Sequence, residues 1–108
     1  MIRIEEYVVD GQSPFRRWLD SLDAQAIAIV SVAIERLAEG NTSNVKSIGA
    51  GAAELGINRG PGYRVYFGWD GKVLVILLGG GTKRRQRDDI ETAVRRWQDY
   101  RKRKRDEK

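Results

Sequence analysis

The block ELGINRGPGYRVYFGWDGKVLVILLGGG, residues 54 to 81, constrains the fold more than any other part of this chain. Tyr63, Val65, Phe67 and Trp69 alternate with Arg64, Tyr66 and Gly68. A period of two puts the first set on one face of a strand and the second set on the other. Leu55 and Ile57 alternate in the same way with Glu54, Gly56 and Asn58. Gly60-Pro61-Gly62 supplies a turn between these segments, and Asp70-Gly71 is a hairpin signal of the type I′ kind. Residues 73 to 78, VLVILL, are apolar on both faces and read as the central strand, ended by the glycines at 79 to 81. Three successive antiparallel strands leave apolar faces that helices must cover.

The helices are legible on either side. Residues 2 to 9 read as a strand. Ser13-Pro14 then starts a helix, with Ser as N-cap and Pro at the first helical position. Phe15, Trp18, Leu19 and Leu22 form one apolar stripe at helical spacing. Asp23 caps a second helix, whose stripe is Ile27, Val30, Ala33 or Ile34, and Leu37; Gly40 stops it. Residues 40 to 53 are rich in Gly, Ser and Asn and are expected to be a mobile loop. A last helix starts near Arg85 or Gln86 and carries Ile90, Ala93, Val94 and Trp97 on its apolar side. The expected fold is a single α+β domain over residues 1–108. It has an N-terminal strand, a helical hairpin, a mostly antiparallel sheet of about four strands and a C-terminal helix. Residues 101–108, RKRKRDEK, are expected to fray.

Composition removes many chemistries. The chain has no cysteine and no histidine. Disulfides, zinc thiolate sites and cysteine nucleophiles are excluded, and a cytoplasmic location is expected. Acid–base work would fall to Lys, Arg, Tyr, Asp or Glu. No apolar run is long enough to span a membrane, and MIRIEEYVVD does not read as a signal peptide. Residues 83 to 108 hold 12 Lys/Arg against 6 Asp/Glu in a chain of net charge +5. That imbalance points to a polyanion such as nucleic acid, or to a solvated basic helix end.

Familiar catalytic templates are missing. Neither GPG nor GGG is followed by the lysine spacing of a phosphate loop. Asp88 and Asp89 open the last helix, where acids favour its dipole, so they read as capping residues and no metal site is expected. What remains is a basic face. Glu54, Gly56, Asn58, Arg64 and Tyr66 share one side of the strands, with Lys83 and Arg84 near the start of the last helix. A guanidinium held in mid-strand is a good planar ligand for phosphate. The alternative is a cross-strand pair of Arg64 with Glu54. Lys46, the only charge in the 40–53 loop, reads from the residues alone as a solvated lysine.

Several segments together resemble the RelE/ParE superfamily of bacterial toxin–antitoxin toxins, in its HigB-like "addiction module killer protein" branch. They are PFRRWLDSL, IERLAEGN followed by VKSIGAG, EL-x-I-x-x-GPGYRVYFG, and VILLGGGTKRRQRDDIETA with Trp97. The resemblance implies a RelE-like fold, no cofactor, and a cognate antitoxin, usually a helix-turn-helix protein that represses the shared operon at its operator DNA. RelE-like and HigB-like members cut mRNA in the ribosome by attack of the 2′-OH on the adjacent phosphate; ParE-like members poison DNA gyrase instead. Carried over by position, Arg64 matches the strand arginine that meets the scissile phosphate. Arg84 matches a second phosphate-contacting position, and Lys83 the lysine of a GGDK block. Lys46, Arg59, Tyr66 and Arg87 are the accompanying RNA contacts. The implied activity is a metal-independent endoribonuclease acting on mRNA at the ribosome.

This chain departs from that pattern at Gly56, where relatives carry a basic group, at Thr82, which replaces an acid, and at Ile90, where RelE-like relatives place a tyrosine. Gly56 therefore reads as a missing part of the site and raises an attenuated toxin as an alternative; a bulge or a close backbone approach is the structural alternative. On that reading Gly56→Arg is expected to raise cleavage and toxicity.

Overall fold

The computed structural model describes residues 1–107; Lys108, part of the expected frayed tail, lies outside the described residues. In chain order the elements are β1 (Arg3–Glu6), α1 (Pro14–Asp20), α2 (Ala24–Ala38), β2 (Val45–Gly49), β3 (Ala52–Ile57), β4 (Tyr63–Asp70), β5 (Leu74–Thr82) and α3 (Gln86–Asp106). A single 3-10 turn, Lys83–Arg85, joins β5 to α3.

The sheet has the order β1-β5-β4-β3-β2 and is antiparallel except for β1 beside β5. Among the described residues its strands number five, where about four are expected from the sequence. The extra strand is β2, drawn from the segment expected to be a loop. The central position belongs to β4, because β1 adds to the outer side of β5. Nor do the glycines end β5: the strand continues through them to Thr82, pairing Gly79, Gly80 and Gly81 with Tyr66, Val65 and Arg64. Asp70 pairs with Leu74 across three residues, so the hairpin is not the two-residue type I′ form.

Alternation along β4 divides the core as the pattern requires. Val65 and Phe67 join Phe15, Leu19, Val30, Leu37, Leu55 and Leu77 under α1 and α2. Tyr66 joins Ile76, Leu78, Ala93 and Trp97 under α3. The helix caps act as read: the Ser13 side chain accepts from Arg16 N–H at 3.0 Å and Asp23 from Ala26 N–H at 2.8 Å.

Glycines let the helices press close to the sheet. A Cβ at Gly68 would stand 2.1 Å from the Trp97 ring, and one at Gly80 would stand 2.2 Å from the Trp18 ring. At Gly79 and Gly81 it would meet the side chains of Arg96 at 2.6 Å and Asp89 at 2.0 Å. The triple glycine is therefore a set of slots for α1 on one face and α3 on the other. A side chain in any of them would force a neighbour away.

The C-terminal segment also differs from expectation. α3 runs to Asp106, so residues 101–106 are helical. Its last turns are tied down where they pass the sheet. Tyr100 Oη donates to Asp70 at 2.7 Å, Lys104 pairs with the same carboxylate, and Arg103 donates to Val8 O at 2.6 Å. These partners oppose fraying.

Candidate functional site

Register brings the candidate residues together on the α3 side of the sheet. Gly56 of β3 faces Arg64 of β4, Glu54 faces Tyr66, and Lys46 of β2 faces Glu54. Arg64 does not project into solvent. Its guanidinium folds over Gly56, where a Cβ would stand 2.8 Å from Nη1. Its Nε lies 3.9 Å from Glu54 Oε1, an ion-pair distance that is too long for a hydrogen bond. That Nε is buried and has no hydrogen-bond partner. The cross-strand pairing of Arg64 with Glu54 is thus present as a loose contact, and it leaves the guanidinium under-used.

Glu54 is held from the other side. Its Oε1 accepts from Gln86 Nε2 at 2.6 Å, joining β3 to the first residue of α3. Only 5% of Glu54 is exposed. Tyr66, next along the same face, is 1% exposed and its hydroxyl is buried without a partner. Burial first, and then the nearby carboxylates of Glu54 and Asp89, push the Tyr66 hydroxyl well above the usual tyrosine range. Burial likewise raises the Asp89 carboxyl, against the pull of Arg85 and Arg96.

The remaining cations form a rim. Lys83 and Arg84 lie exposed in the 3-10 turn, and Arg87 lies exposed in the first turn of α3. Lys83 N–H donates to Gly62 O at 2.9 Å, which ties this turn to the β3–β4 loop carrying Arg59. Arg59, Arg64, Lys83 and Arg84 therefore share one end of the sheet. Lys46 stands apart, beyond Glu54 on the edge strand. Among the described residues, Lys46, Arg59, Lys83, Arg84 and Arg87 have no ion-pair partner.

Two placements go beyond the sequence reading. Tyr66, taken there as an RNA contact, is enclosed beneath α3. Asp89, read as a capping residue, makes no side-chain cap and lies against Gly81 instead. The sequence reading missed Gln86 as the residue that fixes Glu54. One signal was available: Glu54 is a lone acid among Ala52, Ala53, Leu55 and Ile57, a setting that buries a charge and demands a partner.

Chemically, this end of the sheet offers a positioned guanidinium within a ring of unpaired cations. Such groups bind phosphate oxygens and stabilise negative charge as it develops. Among the described residues, no cluster of three or more acidic side chains is placed to hold a metal ion. No helix there is long and apolar enough to cross a membrane.

Fold and site together define a small α+β protein whose sheet presents a cation-rimmed arginine beside its C-terminal helix. Residues 17–98 match the family described as "Phage derived protein Gp49-like (DUF891)". The chain belongs to this Gp49-like family, a toxin-like family of toxin–antitoxin modules. It is also 45% identical over 80 residues to a Haemophilus influenzae protein described as "Uncharacterized protein", a span of 73% of this chain and 81% of that relative.

Proposed function

We propose that this protein is a toxin of the RelE/ParE superfamily, close to the HigB-like branch, and that it cleaves mRNA on the ribosome. The observation that carries this reading is Arg64: a guanidinium seated across Gly56, with an unpartnered Nε, at the sheet end that also bears Arg59, Lys83 and Arg84. In the proposed reaction the 2′-OH gives its proton to water, its oxygen attacks the adjacent phosphorus to form a 2′,3′-cyclic phosphate, and the bond to the 5′-oxygen breaks, that oxygen taking a proton from water to leave as an alcohol. Arg64 and Arg84 neutralise charge on the phosphorane, and Lys83 holds the neighbouring backbone. Lys46, Arg59 and Arg87 extend the contact to flanking phosphates. A helix-turn-helix antitoxin is the proposed neutralising partner, and operator DNA is reached through their complex.

The test is induction of the protein in growing bacteria, followed by mapping of mRNA 5′ ends. In-frame cuts that vanish in Arg64→Ala are expected, with a loss of about 10²–10³ in rate. DNA breaks or lost supercoiling without mRNA cuts would replace this reading with gyrase poisoning.

A further inference from the structure

We infer that the outer face of α3 is a second RNA-binding surface, a phosphate track that starts at Arg87 on the rim of the cleavage site and runs away from it along the helix. The choice of RNA as the polyanion rests on the proposed function; the surface itself follows from how the helix uses its cations.

α3 has 21 residues, about 31 Å at 1.5 Å per residue. Its cations fall into two sets. Those turned toward the rest of the fold have structural partners: Arg96 donates to Leu78 O at 2.8 Å, Arg101 to Ala50 O at 3.3 Å, Arg103 to Val8 O at 2.6 Å, and Lys104 pairs with Asp70. A second set, Arg87, Arg95, Lys102 and Arg105, is exposed and makes no ion pair among the described residues. The one side-chain bond in that set is Arg95 to Thr92 Oγ1, at 3.4 Å. At 3.6 residues per turn these four positions share an arc of about 80°. They form a ridge along nearly the whole helix, on the side opposite buried Ala93 and Trp97.

One acid, Glu91, stands on the ridge, and it pairs with neither Arg87 nor Arg95. The four cations are spaced eight, seven and three positions apart and no ion pair among the described residues neutralises them, so the row is suited to an external polyanion. A row of cations about 27 Å long matches the sugar–phosphate backbone of folded RNA, which proteins hold through charge and shape, without base readout. Lys102 and Arg105 lie beyond the family-matched residues 17–98, so the ridge extends past the shared domain.

The experiment measures binding of the full chain to a fluorescein-labelled RNA stem–loop of 2′-O-methyl nucleotides, which cannot undergo 2′-OH attack. Binding is therefore read independently of cleavage. The variant Arg95→Ser/Lys102→Ser/Arg105→Ser is expected to bind at least about tenfold more weakly at low salt and to lower the log–log salt slope by about 2–3, one unit per lost phosphate contact. The charge-matched control Arg17→Ser/Arg36→Ser/Lys72→Ser is expected to keep the parent slope, and Arg95→Lys/Lys102→Arg/Arg105→Lys is expected to keep parent affinity. Equal weakening in the control would reduce the effect to net charge and overturn the proposal. Unchanged RNA binding in the ridge variant, with loss of antitoxin binding instead, would make the ridge a protein-docking face. Normal ridge behaviour with no mRNA cuts in cells would leave the track standing and remove only the nuclease reading.

Discussion

The guanidinium of Arg64 occupies the space that a side chain at Gly56 would fill, with Nη1 2.8 Å from the position of a Cβ. This gives the glycine a role that the sequence did not suggest. In the sequence, Gly56 reads as a vacancy where the family resemblance implies a basic group; in the fold it is the seat of the neighbouring basic group. Gly56→Ala is therefore expected to lift Arg64 off β3 and lower the proposed RNA cleavage by about tenfold, by misplacing a positioned charge. Gly56→Arg meets the same obstruction and is expected to lower cleavage as well. Cleavage rates of both purified variants on programmed ribosomes check this. A gain in Gly56→Arg with no change in Gly56→Ala would restore the vacancy reading.

Glu54 and Gln86 are 32 positions apart and meet at 2.6 Å. The bond satisfies a carboxylate that is 5% exposed. Deleting the donor leaves that charge buried with only the distant Arg64 Nε, so Gln86→Ala is expected to cost about 1.5–3 kcal/mol. Urea unfolding measures it. The double variant Glu54→Ala/Gln86→Ala is expected to cost less than the sum of the two single changes, since each alone strands the other's partner.

Trp18 lies on Gly80 as closely as Trp97 lies on Gly68. Gly80→Ala would place a methyl 2.2 Å from the Trp18 ring. The ring must move, so a loss of at least about 1–3 kcal/mol is expected. Adding Trp18→Leu vacates the contested space, and the pair is expected to couple favourably in a double-mutant cycle. Purely additive losses would show that Gly80 matters for its backbone and not for the ring above it.

How much of this was legible follows from range. The faces of β4 could be read because alternation is local: Val65 and Phe67 are apolar, and Arg64 and Gly68 are not. β2 could not be read, because VKSIG offers two apolar residues among Lys, Ser and Gly. It becomes a strand when the edge of β3 presents its hydrogen-bonding groups. The glycines at 79 to 81 were misread for a related reason. Their weak strand preference is local, whereas the residues that need them, Trp18, Asp89 and Arg96, come from two helices distant in sequence. At the site, the face carrying Arg64 was legible, but its folding onto Gly56 and the clamp from Gln86 depend on where α3 docks.

Asp89 converts that docking into a pH dependence. Burial, the largest influence, raises its carboxyl pKa above the ordinary aspartate value, despite opposing attraction from Arg85 and Arg96. A raised folded pKa means that the native state holds the proton at pH values where the unfolded chain has released it. The stabilising contribution is therefore complete below the unfolded pKa of 3.8 and is lost as pH rises through the folded value. At neutral pH the ionised carboxylate is a net liability against Gly81 and the underside of α3. Asp89→Asn keeps the shape and removes the charge, so its Tm is expected to exceed the parent's at pH 7. The difference is expected to shrink toward zero near pH 3, where both side chains are neutral. Thermal unfolding of the two proteins across that pH range checks the sign, and an Asn variant that is less stable at pH 7 would show that the Arg85 and Arg96 attractions outweigh burial.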